Sequence, residues 1–312
     1  MARACPACSR PNSDTAERCL YCSRSLPPKA EHQVPAPAAI AAERFLLILI
    51  PAGEPGEEKL REFSRIAALG LYEARLCLLA KRPRLFRILP NEQRARELSA
   101  SLGAARVPHY LASEQAVLSM PVSRARRIDL HERHLTISLA REQPLTLRHE
   151  DLLLVVRGEI RRERHHEKRL GSARGVSHRL SSGERIHLYE REAKVAVEIE
   201  PEAFDWDVLG EERTTSALLN VERFVSRIAA KAPFAAVDRG FDDEPAVLAR
   251  ALEEGDPSHA LIDVNRDSVD GVLFDNEAQF RFYARWRYRV ERFLSPRPGD
   301  SQVADGKRLD CR

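Results

Sequence analysis

Two Cys-x-x-Cys pairs with ten residues between them, in "CPACSRPNSDTAERCLYC" at positions 5 to 22, constrain this chain more than any other feature. The stretch is polar and proline-containing, with no apolar run from which to build a core, so a metal or a covalent bond has to hold it. Each pair lets a tight turn bring two thiolates onto one ion, at about 2.3 Å for zinc. Cys5 and Cys8 form one knuckle, Cys19 and Cys22 the other. Together they make a closed tetrahedral site with no position open for catalysis. Two disulfides are the alternative. "MARACPACSR" lacks the apolar segment of an export signal, and disulfides do not persist in a reducing cytosol. The expectation is one structural Zn2+ in a cytoplasmic protein.

The motif resembles the short bacterial zinc ribbon, in which Cys-Pro-x-Cys-Gly precedes a polar middle and a second Cys-x-x-Cys-Gly. Cys5-Pro6-Ala7-Cys8, Asn12, Asp14, Ala16, Cys19-Leu20-Tyr21-Cys22 and Leu26 match. Ser9 and Ser23 replace the usual glycines, and Arg18 stands where an aromatic is common. The resemblance implies a ribbon over residues 1–26. The next segment, 27–44, is rich in proline and alanine, which stiffen a chain and deny it a core, so it reads as a linker.

A length of 312 residues allows two or three domains, and 43% hydrophobic with 31% charged residues suits a globular protein. The net charge of +3 provides no global field for nucleic acid, so such binding needs a local patch. "FLLILI" at 45–50 is far too short to span a bilayer.

Residues 45–113 read as a small α/β domain. "RFLLILIPAG" is a buried strand ended by Pro51 and Gly53. "EEKLREFSRIAALG" has Leu60, Phe63, Ile66 and Ala67 at helical spacing, with Gly70 as its stop. A second helix over "LYEARLCLLAKR" holds Cys77 on its apolar face. The strand "RLFRIL", a helix opened by Pro90-Asn91 and the strand "RVPHYL" complete the unit. This order resembles the C-terminal domain of the bacterial ribosomal stalk protein, on Ile66, Leu69-Gly70-Leu71, Glu73-Ala74, Pro83, Leu98 and Gly103. The same fold serves the small adaptor that feeds substrates to a bacterial protease. Tyr72 stands where the stalk family carries a lysine. The resemblance implies a fold that docks proteins and catalyses nothing.

From 120 to 231 the pattern turns to strands. "HLTISLA" places Leu135, Ile137 and Leu139 on one face, "LLLVVRGEI" is more fully buried, and "ERIHLYERE" and "KVAVEIE" alternate. One amphipathic helix follows, with Leu218, Val221, Val225 and Ile228 inward and Thr214 or Thr215 as cap. Several antiparallel strands and a closing helix resemble, weakly, a pleckstrin-homology-type barrel. Residues 232–294 read as a helical extension, containing "EPAVLARAL" and "NEAQFRFYARWRYRVERFL", and 295–312 as a disordered tail. The fold class expected is multi-domain α+β: zinc ribbon, stalk-like domain and antiparallel barrel-like domain with a terminal helix.

Two stretches bear on partners. Residues 157–179 hold eight basic residues against three glutamates. Arg161, Arg162, Arg164, Lys168 and Arg169 make a candidate patch for an anionic partner, at the turn between two strands. The interleaved glutamates point instead to a solvated hairpin. In the last helix, Phe280, Phe282, Tyr283, Trp286, Tyr288 and Phe293 mix with arginines, as base-stacking surfaces do. Tyr283, Trp286, Val290 and Phe293 nevertheless recur at steps of three and four, the period of a packing face. "HERH" at 131–134 has the wrong spacing for a zinc-protease helix, and the chain contains no G-x-S-x-G and no phosphate-cradling glycine loop. The reading is a non-enzymatic adaptor or scaffold with protein partners and no small-molecule substrate. The alternative is a nucleic-acid binder using the ribbon and the basic hairpin.

Overall fold

The computed structural model describes residues 43–170, 173–243 and 270–295, together with 3–4, 8, 11–12 and 22. The chain divides into two compact units, Met1–Ala42 and Glu43–Arg312. In the first, β1 (Arg3–Ala4) pairs antiparallel with β2 (Pro11–Asn12), Arg3 opposite Asn12 and Ala4 opposite Pro11. The linker up to residue 42, the helix expected at "EPAVLARAL" and the tail beyond residue 295 lie outside the described residues.

The second unit begins with β3 (Phe45–Leu49), the centre of a three-stranded antiparallel sheet ordered β4-β3-β5, where β4 is Arg84–Leu89 and β5 is His109–Ser113. All five residues of β3 are buried, as an unbroken apolar run requires of a strand covered on both faces. Phe45, Leu47 and Leu49 pack under three helices, α1 (Glu57–Ala67), α2 (Leu71–Leu78) and α3 (Glu92–Ala104). Leu46 and Ile48 face the other way, into a different core. Element order and type match the sequence reading, but boundaries shift: α2 ends at Leu78 rather than Arg82, β5 runs from His109 to Ser113 rather than over 106–111, and α1 ends earlier than expected. Helix α1 stops at Ala68, in the left-handed region at φ 52, whose N–H reaches Arg65 O; Leu69 N–H closes onto Ser64 O. Gly70 instead caps the start of α2, its N–H donating to Glu73 Oε2 at 3.3 Å. Gly70 has an extended backbone at φ −62, so the turn does not use glycine's freedom.

After the short α4 (Glu114–Leu118), two three-stranded antiparallel meanders follow. The first is β6 (Val122–Leu130), β7 (His134–Leu139) and β8 (Leu145–Arg148); the second is β9 (Leu152–Leu170), β10 (Ala173–Glu190) and β11 (Ala196–Ile199). They join edge to edge through a parallel β11–β6 pair, Val197 opposite Ser123. The result is one eight-stranded sheet curled into a half-barrel, completed by β12 (Ala236–Asp238) and β13 (Asp270–Asp275) along β9. This corrects the expectation of a wholly antiparallel domain, since β12 also runs parallel to β9. Period-two alternation reports which face is buried and says nothing about strand direction.

Between β12 and β13 the edge of β9 is closed by side chains. Glu159 N–H donates to Asp242 Oδ1 at 2.9 Å, and Arg161 N–H to Asn276 Oδ1 at 2.7 Å. Asn276 Nδ2 in turn donates to the Glu159 carbonyl at 3.1 Å. Strand groups left without a ladder partner are thereby satisfied.

The half-barrel buries both faces. On one lies α5 (Ala217–Lys231), with Val221, Phe224, Val225 and Ile228 against Ile186, Leu188, Val197 and the aromatic pair Phe204–Trp206. Ser216 caps α5, accepting from Leu219 N–H, while Thr214 braces Asn220; Leu218, expected inward, is exposed. The cap is thus Ser216, and Leu218 lies in the exposed first turn of the helix. On the other face lies α6 (Glu277–Leu294), and its far side meets the three-stranded sheet. Leu46, Ile48, Leu85 and Ile88 of that sheet share one core with Leu154, Val156 and Tyr189 of the half-barrel and with Phe280, Trp286 and Tyr288 of α6. A helix between two sheets has to be apolar nearly all round, which accounts for the five buried aromatic residues Phe280, Phe282, Tyr283, Trp286 and Tyr288 and the buried Val290 on α6, beside a narrow, half-open stripe of Arg281, Arg285 and Arg289.

Candidate docking surface

Helix α2 covers the small sheet with Ala74, Cys77 and Leu78. Its outward side is also apolar. Tyr72 is 75% exposed, Leu76 45% and Leu79, just past the helix, 40%; they recur at i, i+4 and i+7 and share one face, with Leu71 beside them at 52%. Exposed apolar residues are ordinary when scattered, whereas several on one face mark a contact surface. The rim is basic. The chain has no carboxylate from Ala74 to Asn91, and that span contains Arg75, Lys81, Arg82, Arg84 and Arg87. Arg84 lies against α2, its Nη1 donating to the Leu76 carbonyl at 3.4 Å. Arg75 meets Glu54 at 3.2 Å in an exposed pair, which contributes less than about 1 kcal/mol. Sequence reading placed Cys77 on the apolar face of this helix and noted Tyr72, but did not find the outer stripe. The signal was present in the spacing of Tyr72, Leu76 and Leu79.

The candidate anionic-partner patch lies on a two-stranded ribbon longer than the expected turn. Backbone pairing runs from Ala173 opposite Leu170 to Ser182 opposite Arg161. It sets Arg164 opposite Arg179 and Lys168 opposite Gly175, with β13 along the far edge of Arg162 to His166. Arg161 pairs with Glu159 at 2.8 Å, and Arg162 meets Glu277. Arg157 is buried between Glu184 and Glu222, each at 2.7 Å. Arg157, Arg161 and Arg162, the cations of 157–179 whose side chains are described, thus all meet carboxylates. For Arg164, Lys168 and Arg169 the structure describes strand register alone.

Of the four expected metal ligands, Cys8 lies in a turn and Cys22 in another, while Cys5 and Cys19 fall outside the described residues. In sequence, the paired β1 and β2 lie on either side of the first Cys-x-x-Cys. His131 and His134 stack at 4.4 Å across a turn. Among the described residues no three His, Cys, Asp or Glu side chains converge as a metal site.

One acid–base chain is conspicuous in the core. The Tyr189 hydroxyl is 3.1 Å from His187 Nδ1, His187 Nε2 is 3.1 Å from Glu198 Oε2, and Arg281 donates twice to Glu198 at 2.9 and 3.0 Å. Burial pushes the Tyr189 hydroxyl up and the His187 ring down. Burial would also raise Glu198, but hydrogen bonds from His187 and Arg281 outweigh it and hold the carboxyl well below its usual range. His187 and Tyr189 are 0% exposed and Glu198 1%, so no substrate reaches them. Their role is to hold α6 on the half-barrel. Asp238 does the same at another point of α6. It accepts from Tyr283 Oη, Arg287 Nε and Gly240 N–H, each at 2.7 Å.

No helix among the described residues is long and apolar enough to cross a membrane. No family model, curated protein or solved structure matches the chain.

Proposed function

We propose that this chain is a non-enzymatic adaptor that binds a protein partner through the outer face of α2. The observation that carries the reading is the stripe of Tyr72, Leu76 and Leu79, left uncovered by a fold that buries its other aromatic helix almost completely. The partner it suits is an amphipathic helix whose apolar side meets the stripe and whose acidic flank meets Lys81 and Arg84. Both cations have no carboxylate partner among the described residues. The resemblance to the stalk-type domain supports the same use, because that fold docks proteins.

The N-terminal unit is the second contact module in this reading. Cys5, Cys8, Cys19 and Cys22 would hold one zinc ion, which supplies the folding free energy that so short a segment lacks. Metal analysis of the purified chain should find about one zinc per chain, reduced in Cys19→Ser. Protein without bound metal would remove the ribbon from the proposal.

Affinity purification from the native cell tests the α2 reading. Tyr72→Asp with Leu76→Asp should lose the proteins that the unaltered chain retains, with both forms equally folded. Identical retention by the two would sink the proposal. Retention of RNA or DNA with a steep salt dependence would favour the nucleic-acid alternative.

A further inference from the structure

A groove of about 620 Å3 opens where the two meanders of the half-barrel join, between the start of β6, the end of β7 and the turn at Ala203. Its walls are half apolar, from Val122, Leu139, Ala140 and Ala203. Arg126 and Arg141 also line it.

Arg126 is placed by a β-bulge. The β6–β7 register slips between Ala125 and Arg127, so Arg126 has no residue opposite it. Its carbonyl accepts from Asp205 N–H at 2.8 Å, which pins the extra residue. Bulges re-aim single side chains in this way. Neighbouring charges are already committed: Arg124 to Glu200 at 2.7 Å, Arg127 to Asp129 at 2.8 Å, and Glu142 as acceptor of Ser123 Oγ at 2.6 Å. On the same sheet Arg148, Arg157 and Arg185 each meet carboxylates as well. Arg126 and Arg141 have neither an ion pair nor a side-chain hydrogen bond among the described residues.

We infer that this groove binds a small organic oxyanion, a phosphate monoester or a carboxylate carried on an apolar body. The two guanidinium groups take the oxygens, for which their planar forks are suited, and the apolar walls cover the body. The volume falls within the range of roughly 300–1,000 Å3 usual for small-ligand sites. The inference is independent of the α2 docking surface, which lies on the small sheet's helices.

Calorimetric titration of the full chain with phenyl phosphate, benzoate and inorganic phosphate tests it. Saturable binding of phenyl phosphate or benzoate is expected, and the stronger of the two identifies the oxyanion. Arg126→Ala with Arg141→Ala should weaken that binding at least about tenfold and leave the circular dichroism unchanged. If the alanine pair does not fold, Arg126→Gln with Arg141→Gln gives the same loss of charge at similar size. Absence of saturable binding by both aromatic probes overturns the inference, as does equal affinity in the neutral variant. Inorganic phosphate binding as tightly as phenyl phosphate also overturns it, because the apolar walls would then contribute nothing.

Discussion

Helices α2 and α6 both carry aromatic and aliphatic residues at steps of three and four, yet one leaves its stripe in solvent and the other is enclosed. Tyr72 on α2 is 75% exposed, while Trp286 on α6 is 0% exposed. The difference comes from the number of layers each helix meets. Helix α2 has one sheet beneath it and uses Ala74 and Leu78 there. Helix α6 has a sheet on either side and needs an apolar surface nearly all round. An apolar stripe at helical period therefore identifies a surface that wants a partner. Whether the chain itself supplies that partner is a property of the tertiary structure.

If this contrast holds, substitutions on α6 should cost folding and those on α2 should cost retention of a partner. Trp286→Ala should show the largest effect, about 3–5 kcal/mol in denaturant unfolding, because it empties the core shared by the two sheets. Tyr72→Ala, assayed alongside, should stay within about 0.5 kcal/mol of the parent. Equal losses in the two would abolish the comparison.

A tight backbone approach sharpens it next. A Cβ built on Gly158 of β9 would lie 2.6 Å from Phe241 and 2.8 Å from Phe280, both ring atoms in the α6 core. Gly158→Ala should cost about 1–3 kcal/mol through overpacking. Unchanged stability in that variant would mean that α6 sits more loosely on the half-barrel than the structure has it.

Acid should loosen α6 while leaving α2's packing to its apolar contacts. His187 is buried and its folded pKa lies below the ordinary 6.5, so the unfolded chain takes up that proton first and stability declines as pH falls below that value. Glu198 and Asp238 have folded values below their ordinary 4.5 and 3.8. Their stabilisation is complete above those ordinary values and is lost as pH falls toward the lower folded ones. For Asp238 burial alone would act the other way, but Arg287, Tyr283 and the Gly240 N–H outweigh it. All three groups thus give stability that rises with pH. The denaturation midpoint, followed from neutral pH into the carboxylate range, should fall in two stages. The lower stage should shrink in Asp238→Asn, and a midpoint independent of pH would refute the account.

The smallest effect lies at the entrance to α2. Ala68 adopts φ 52, a region costly for a residue with a Cβ, so Ala68→Gly should raise stability by up to about 1 kcal/mol. Partner retention should not change. Destabilisation by this glycine would show that the α1–α2 turn is formed otherwise.

Much of the secondary structure was legible in the sequence, because local chemistry is local. Pro83, Asn91 and the apolar spacing around Phe63 define the elements of the small domain, and Asn91 accepts from Arg94 N–H as a helix cap should. The long ribbon was harder to read. From Arg161 to Leu170 the residues lack apolar alternation, and the strand is defined there by pairing with β10 and β13. Pairing partners far apart in sequence leave no periodic trace. The groove at Arg126 was hidden for a related reason: a bulge is a mismatch of two strands, and neither strand records it alone.

By itself the sequence determined a cysteine-rich N-terminal segment, a mixed α and β body, and the apolar character of α2 and α6. Cysteine spacing, side-chain period and turn residues act over a few positions, so one chain suffices to read them. Tertiary structure alone decided that α6 lies between two sheets, that two meanders fuse through a parallel pair, and that Tyr72 remains outside. Those outcomes depend on which apolar faces meet across more than two hundred residues, from Leu46 to Val290. Burial energy is non-directional and proportional to area, so it rewards any closure of apolar faces and identifies none in advance.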